Sequence, residues 1–189
     1  MKTPSVALGQ ASRELVRMGK LALEMLEEAH TAFTTSNADG LESVFKKEET
    51  INRLEHAVVD YLATLSQQSL STEQSDRLAA LLSMSSDIER VGDLSENIAE
   101  LAEYRAEHRL PFSEEAINEL DAMYQTVHDL GVKTLYLLES GDIRQANDLL
   151  AQESEVDKME KSLRLRHINR LNSGTCFPAS GIIFLDLIS

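Results

Sequence analysis

The chain has 189 residues and a net charge of −14, from 18 Lys and Arg against 32 Asp and Glu, which opposes approach to a polyanion over the whole surface and argues against nucleic acid as a partner. Aromatic residues make up 5% and Trp is absent, so a core must be built from Leu, Ala, Ile, Val and Met; with 3 Pro and 8 Gly, turn signals are too few for a sheet. The single cysteine, Cys176, cannot close an internal disulfide and is expected as a packed thiol in a reducing compartment, while no stretch approaches the roughly 18 to 20 apolar residues of a membrane span.

Six helical segments follow in chain order. Leu8, Leu15, Met18, Leu21, Ala22, Met25, Leu26 and Ala29 recur at helical spacing and predict a first helix from about Ser5 to Thr35, ended at Ser36-Asn37. Asn37 is the expected cap of a second helix carrying Leu41, Val44, Phe45, Ile51, Leu54, Val58, Tyr61, Leu62 and Leu65. Ser71-Thr72-Glu73-Gln74 is a capping-box pattern and opens a third helix that reaches about His108, before Pro111. Ser113 caps a fourth, stopped by Gly141; Asp142 is the expected cap of a fifth, which runs to about Leu171 and breaks at Asn172-Ser173-Gly174. A final apolar stretch, Ile182 to Phe184 and on through Leu187-Ile188, reads as a helix still in progress at the last residue and therefore truncated.

The second and fifth helices align at an offset of 105 residues, with Val44 on Leu149, Phe45 on Leu150, Ile51 on Val156, Leu54 on Met159 and Val58 on Leu163. Glu48 then falls on Glu153 and Asn52 on Asp157, so the segments share a polar pair as well as an apolar stripe. Three helices, a Pro-containing link and three more imply two repeats, 1–110 and 111–189, the second incomplete at its end.

Acids followed four residues later by Asp or Asn occur three times, as Glu48 with Asn52, Glu89 with Asp93 and Glu153 with Asp157, each presenting two oxygen donors from one helix face. At about 100° per residue, Glu89, Asp93, Glu96 and Glu100 form a ridge roughly 60° wide. Like charges four apart repel, so a cation could offset them, and oxygen donors without Cys suit iron, manganese, magnesium or calcium. The competing reading is a solvated face, because the apolar seam of that helix, Met84, Ile88, Val91, Ile98 and Ala102, is centred roughly 130° away. His30 follows Glu27 in a Glu-x-x-His arrangement, but a di-iron bundle needs that element twice, and a surface histidine is the simpler expectation. No Gly-rich phosphate loop, G-x-S-x-G, H-E-x-x-H or Cys-His constellation is present, so nucleophilic catalysis has no visible basis and no organic cofactor is expected.

The run Ser86-Asp87-Ile88-Glu89-Arg90-Val91-Gly92-Asp93 resembles the PhoU family, whose helices carry a D-hydrophobic-E-R-hydrophobic-G/A-D signature. Lys47-Glu48-Glu49-Thr50-Ile51-Asn52-Arg53-Leu54 looks like the companion motif on the preceding helix, and Gln152-Glu153-Ser154-Glu155-Val156-Asp157 like its second copy. The resemblance implies an all-α fold of two three-helix bundle repeats with antiparallel up-down helices. It also implies multinuclear metal clusters on the E/D-x-x-x-D pairs, with iron, manganese, magnesium, calcium or zinc as candidates, and a non-enzymatic role in controlling phosphate uptake. Carried over by position, Glu48, Glu89, Asp93, Glu153 and Asp157 match ligand positions, Glu49 lies close enough to help, and Asn52 supplies an amide oxygen without charge. Phe184 to Ser189 aligns with Leu81 to Ser86, so the chain ends before its own second signature.

The opening Thr3-Pro4-Ser5-Val6-Ala7-Leu8, with Arg13 to Gly19 after it, is similar to the segment that follows the membrane part of bacterial sodium/phosphate cotransporters with a PhoU-like tail. That likeness implies a regulatory domain on the cytoplasmic side of the bacterial inner membrane. Its partner would be a transmembrane phosphate transporter domain of the same full-length chain. The alternative is a free-standing PhoU-like regulator acting on a separate transporter and sensor kinase, and a homo-oligomer is compatible with either.

Overall fold

The computed structural model describes residues 3–141 and 146–189, which contain six helices and no strand. They are α1 (Pro4–Thr35), α2 (Glu42–Ser66), α3 (Thr72–His108), α4 (Glu114–Ser140), α5 (Ala146–Asn172) and α6 (Pro178–Leu187), so the fold is all-α as expected.

Two seams explain why the first three helices associate. On α1, Leu8, Ala11, Leu15, Met18, Ala22, Met25, Ala29 and Ala32 are buried, and on α3 so are Leu78, Leu81, Ser85, Ile88, Gly92, Ser95, Ala99 and Ala102. Both series advance by alternate steps of three and four, the period that keeps one stripe facing a partner along the full length of a helix. Small residues on the α3 stripe let it approach α1 and α2 closely. The two helices run parallel: Gln74 Nε2 donates to Ser5 Oγ at 3.0 Å near one end, and Arg105 Nη1 donates to the Phe33 carbonyl at the other. α2 runs back between them, with Lys47 Nζ 2.5 Å from Glu28 and the Tyr61 hydroxyl 3.3 Å from Gln10.

Arg105 closes the C-terminal end of α1. Its guanidinium is buried, lies 5.0 Å from the Phe33 ring and 4.8 Å from the Phe112 ring, and donates to the carbonyls of Phe33 and Thr34 at the end of α1, where the Phe33 carbonyl also accepts the Ser36 N–H at 3.2 Å.

α4 lies antiparallel to α1. Gly19 on α1 receives Leu135, and Gly131 on α4 receives Leu23, so each helix offers the other a notch where any larger residue would collide. α5 returns along α4, joined by Arg170 Nη2 to Glu119 at 2.6 Å and Lys133 to Gln152 at 2.9 Å. α6 folds back on α5, with the side chains of Leu171 and His167 packed against Gly181. A continuous apolar core joins the α1–α3 seams to Ala116, Leu120, Leu163, Phe184 and Ile188.

Several local expectations hold. Ser71 and Gln74 form the capping box, Ser113 accepts from the Ala116 N–H, and Gly141 stops α4 at φ +69°. Others need correction. Asn37 does not cap α2: its side chain accepts from the Asp39 N–H at 2.9 Å in a tight turn, and the chain runs on through Gly40 at φ +87° before α2 begins after Leu41. The short polar side chain found a nearer backbone donor. α6 starts at Pro178, four residues ahead of Ile182, because proline is well suited to the first helical position. Val91 is 37% exposed and lies outside the α3 seam, where Gly92 sits instead. Asp142 lies outside the described residues. The aligned stripe of α5 is only partly covered: Leu163 is buried like Val58, but Leu150 is 64% exposed.

Candidate functional site

Where α2 and α3 cross, Gly92 is buried against Ile51, whose Cδ1 lies 3.4 Å from where a Cβ on residue 92 would stand. That contact sets Glu48 and Asn52 beside the acid ridge of α3. Glu48, Asn52, Glu89, Asp93 and Glu96 are half-buried, while Glu100 at the end of the ridge is exposed.

Their electrostatics are mutually repulsive. Burial pushes the Glu48 carboxyl above its usual range, and Glu96 and Asp93 across the interface push it further, against the Asn52 amide. Glu89 is raised by burial and then by Asp93 and Glu55, with His56 opposing; Glu96 is raised by burial and then by Glu100 and Asp93. Basic neighbours in sequence are engaged elsewhere. Lys47 turns to Glu24 and Glu28 on α1, and Arg53 bonds to the Glu49 carbonyl and Thr50 of its own helix.

Asn52 was expected as an oxygen donor, but its amide nitrogen donates to Glu48 Oε1, which holds that carboxylate in place and leaves the amide oxygen for another partner. Glu49 is exposed on α2, near enough for its charge to act on Glu48. Glu153 and Asp157 are exposed on α5. Among the described residues no three His, Cys, Asp or Glu side chains converge closely enough to hold a metal ion. The donors suit a hard cation, while their present rotamers do not close around one.

His30 is neither a surface residue nor half of a Glu-x-x-His ligand set. Its Nε2 is 2.7 Å from Asp121 and its ring stacks on Tyr124 with centroids 4.1 Å apart, tying α1 to α4. Burial lowers its pKa below the usual value more than Asp121 raises it, so the ring is held neutral.

A groove of about 780 Å³ runs between α3 and α4, floored by Leu26 and His30 of α1 and reached at one end by Ile188. Leu94 (52% exposed) and Tyr104 (47%) are on its α3 wall and Met123 and Tyr124 on its α4 wall. The sequence reading missed this groove. Its signal was the second apolar row of α3, Val91, Leu94, Ile98 and Leu101, which lies beside the small-residue seam.

Residues 15–102, just under half of the chain, match the family model described as PhoU domain, and the chain carries a PhoU domain there. It is PhoU-like in fold along nearly its whole length: the phosphate transport system regulatory protein PhoU from Streptococcus pneumoniae superimposes with a TM-score of 0.86 over 98% of this chain and 86% of that one, at 19% identity. Among curated proteins, the "Putative inorganic phosphate export protein YjbB" of Salmonella typhimurium and that of Escherichia coli are each 28% identical over 173 residues, 91% of this chain. The chain spans only 32% of the length of those relatives. A phosphate-specific transport system accessory protein PhoU homolog from Thermotoga maritima is 23% identical over 91% of this chain and 74% of that protein.

Proposed function

We propose that this chain is a PhoU-like regulator of phosphate transport, which docks on the cytoplasmic face of a membrane transporter and limits its flux without itself catalysing a reaction. The observation that carries the reading is the PhoU domain at residues 15–102, set in a fold that superimposes on a phosphate transport regulatory protein. No helix among the described residues is long and apolar enough to cross a membrane, so a transport path would come from another polypeptide or segment.

A free-standing arrangement, acting on a separate transporter and sensor kinase, is supported by the Thermotoga and pneumococcal proteins, which are matched over 74% and 86% of their own lengths. A second reading, a regulatory domain fused to a sodium-dependent phosphate transporter, is favoured by a different observation: the matched segment is 32% of the export-protein relatives. In either form the halves 1–110 and 111–189 are proposed as the two repeats.

The facing acids of α2 and α3 are proposed as the element that senses a cation. Glu48, Glu89 and Asp93 supply charge there and Asn52 a carbonyl oxygen, with Glu49 within reach. Closure needs Glu89 and Asp93 to turn toward Glu48. Glu153 and Asp157 are proposed as an outlying pair of the second repeat.

The test is phosphate flux in native cells lacking this chain. Deletion is expected to change the rate of radiolabelled phosphate transport, and supplying the chain again restores it; an unchanged rate overturns the reading. An immunoblot separates the two arrangements. A soluble band near 21.0 kDa supports the free-standing regulator, and a larger band in the membrane fraction supports the fused domain.

A further inference from the structure

A second cavity, of about 320 Å³, lies at the far end of α5 from the acid pair, where the α5–α6 turn meets the start of α4. His167, Arg170, Thr175, Cys176 and Ser180 border it. Nothing in the regulator reading uses these residues.

His167 is 1% exposed, and neither of its ring nitrogens has a hydrogen-bond partner. Leaving a buried polar group without a partner costs about 1 to 3 kcal/mol, so a native protein keeps one where something else completes it. The ring stacks on Phe184 with centroids 4.5 Å apart, which fixes its plane. Gly181 is required beside it: a Cβ there would stand 3.0 Å from Nε2. The Gly181 backbone is near enough to bias the titration of the ring but is not aligned to bond it.

Arg170 repeats the pattern. Its Nη2 is bound to Glu119 at 2.6 Å, while Nη1 is buried without a hydrogen bond, with Glu115 at 3.5 Å. Glu119 lies one turn further along α4 than the cavity-lining Ala116, against both Arg166 and Arg170, and does not itself border the cavity. α6 begins at the same place, and no side chain caps its N-terminus. Its first helical bond is made by the Gly181 N–H to Phe177, which leaves the Ala179 and Ser180 N–H groups ahead of it without intrahelical acceptors. The Ser180 side chain is engaged with the Pro111 carbonyl at 2.7 Å and anchors that end of the helix.

We propose that this cavity binds a small tetrahedral oxyanion, inorganic phosphate or the phosphoryl end of a monoester. The Thr175 hydroxyl already donates to the Arg170 carbonyl at 3.1 Å. The donors left for a ligand are one His167 N–H, the Ala179 and Ser180 N–H groups at the start of α6, and Arg170 Nη1, which Glu115 approaches at 3.5 Å. They outnumber the oxygens of a carboxylate and match those of a phosphate. Glu115 is the one carboxylate that competes for the same guanidinium nitrogen. The site stands on its own geometry, while a link to flux control rests on the regulator reading.

The experiment uses the purified chain, so its failure is distinct from failure of the flux measurement. Calorimetric titration with inorganic phosphate is expected to give saturable heat, and phosphate is expected to slow alkylation of Cys176, the only thiol. His167→Phe keeps the stacked ring and removes both nitrogens; it is expected to weaken phosphate binding at least about tenfold and abolish the protection, with thermal unfolding not lowered. Arg170→Gln is expected to weaken phosphate binding likewise, and in addition to lower thermal stability, because Glu119 loses its 2.6 Å partner. Tighter binding of glycerol phosphate than of inorganic phosphate assigns the site to a monoester, and the reverse order assigns it to the free ion. Neither heat nor protection at about 10 mM of either anion, or equal affinity in wild type and His167→Phe, overturns the proposal.

Discussion

Gly19 on α1 lies directly under Leu135 of α4: a Cβ at position 19 would overlap the leucine Cδ2. This contact, with Gly131 under Leu23, sets the closeness of α1 and α4. Gly19→Ala is therefore expected to destabilise the fold by about 1 to 3 kcal/mol in urea unfolding. Gly9→Ala, with nothing within 4 Å of the added methyl, is expected to stabilise it by about 0.5 to 1 kcal/mol through helix propensity. Equal effects at the two positions would mean that α1 and α4 do not pack through this notch.

Arg105 is predicted to matter through hydrogen bonding to backbone and not through an ion pair. It donates to two carbonyls at the end of α1 and lies near two phenyl rings. Arg105→Met keeps the apolar stem and leaves those carbonyls without their buried donor, and is expected to cost about 2 to 3 kcal/mol. A loss that disappears in high salt would point to a charge interaction instead.

The neutral His30 makes stability depend on pH. Its folded pKa lies below 6.5, because burial outweighs Asp121, so below that value the unfolded chain binds more protons. Stability is thus complete above about 6.5 and declines as pH falls toward the folded value. The charged group facing it is Asp121 of α4, with the Tyr124 ring against its face. His30→Gln is expected to remove part of the slope between about pH 7 and pH 5, at most about 1.4 kcal/mol per unit. His167 is lowered by burial and then by Arg170, so it adds to the slope in the same direction.

The facing acids predict opposite responses with and without cations. In chelator, Glu48→Gln with Asp93→Asn is expected to raise the unfolding free energy by a few tenths to about 1 kcal/mol, because it relieves repulsion across the α2–α3 contact. With manganese or magnesium added, wild type should gain thermal stability that the double variant does not. Removing Glu153 and Asp157, which are exposed, should alter neither response. Wild type that ignores iron, manganese, magnesium, calcium and zinc alike would remove the cation reading.

The all-α class, the six elements and most of their ends were legible in the sequence because they depend on near neighbours. Periodicity places Leu8, Leu15, Met18 and Met25 on one face, Ser71 with Gln74 starts α3, and Gly141 stops α4, all within one or two turns of chain. The signature at 86–93 was legible for the same reason. What proximity in sequence could not reveal is where faces meet. Only the folded chain sets Glu48 against Asp93, because that needs Gly92 to admit Ile51 between α2 and α3. Only packing holds His30 neutral against Asp121, 91 positions away, and leaves His167 and Arg170 with buried nitrogens beside the start of α6. Those outcomes depend on desolvation and on distances across the bundle, which a linear pattern does not contain.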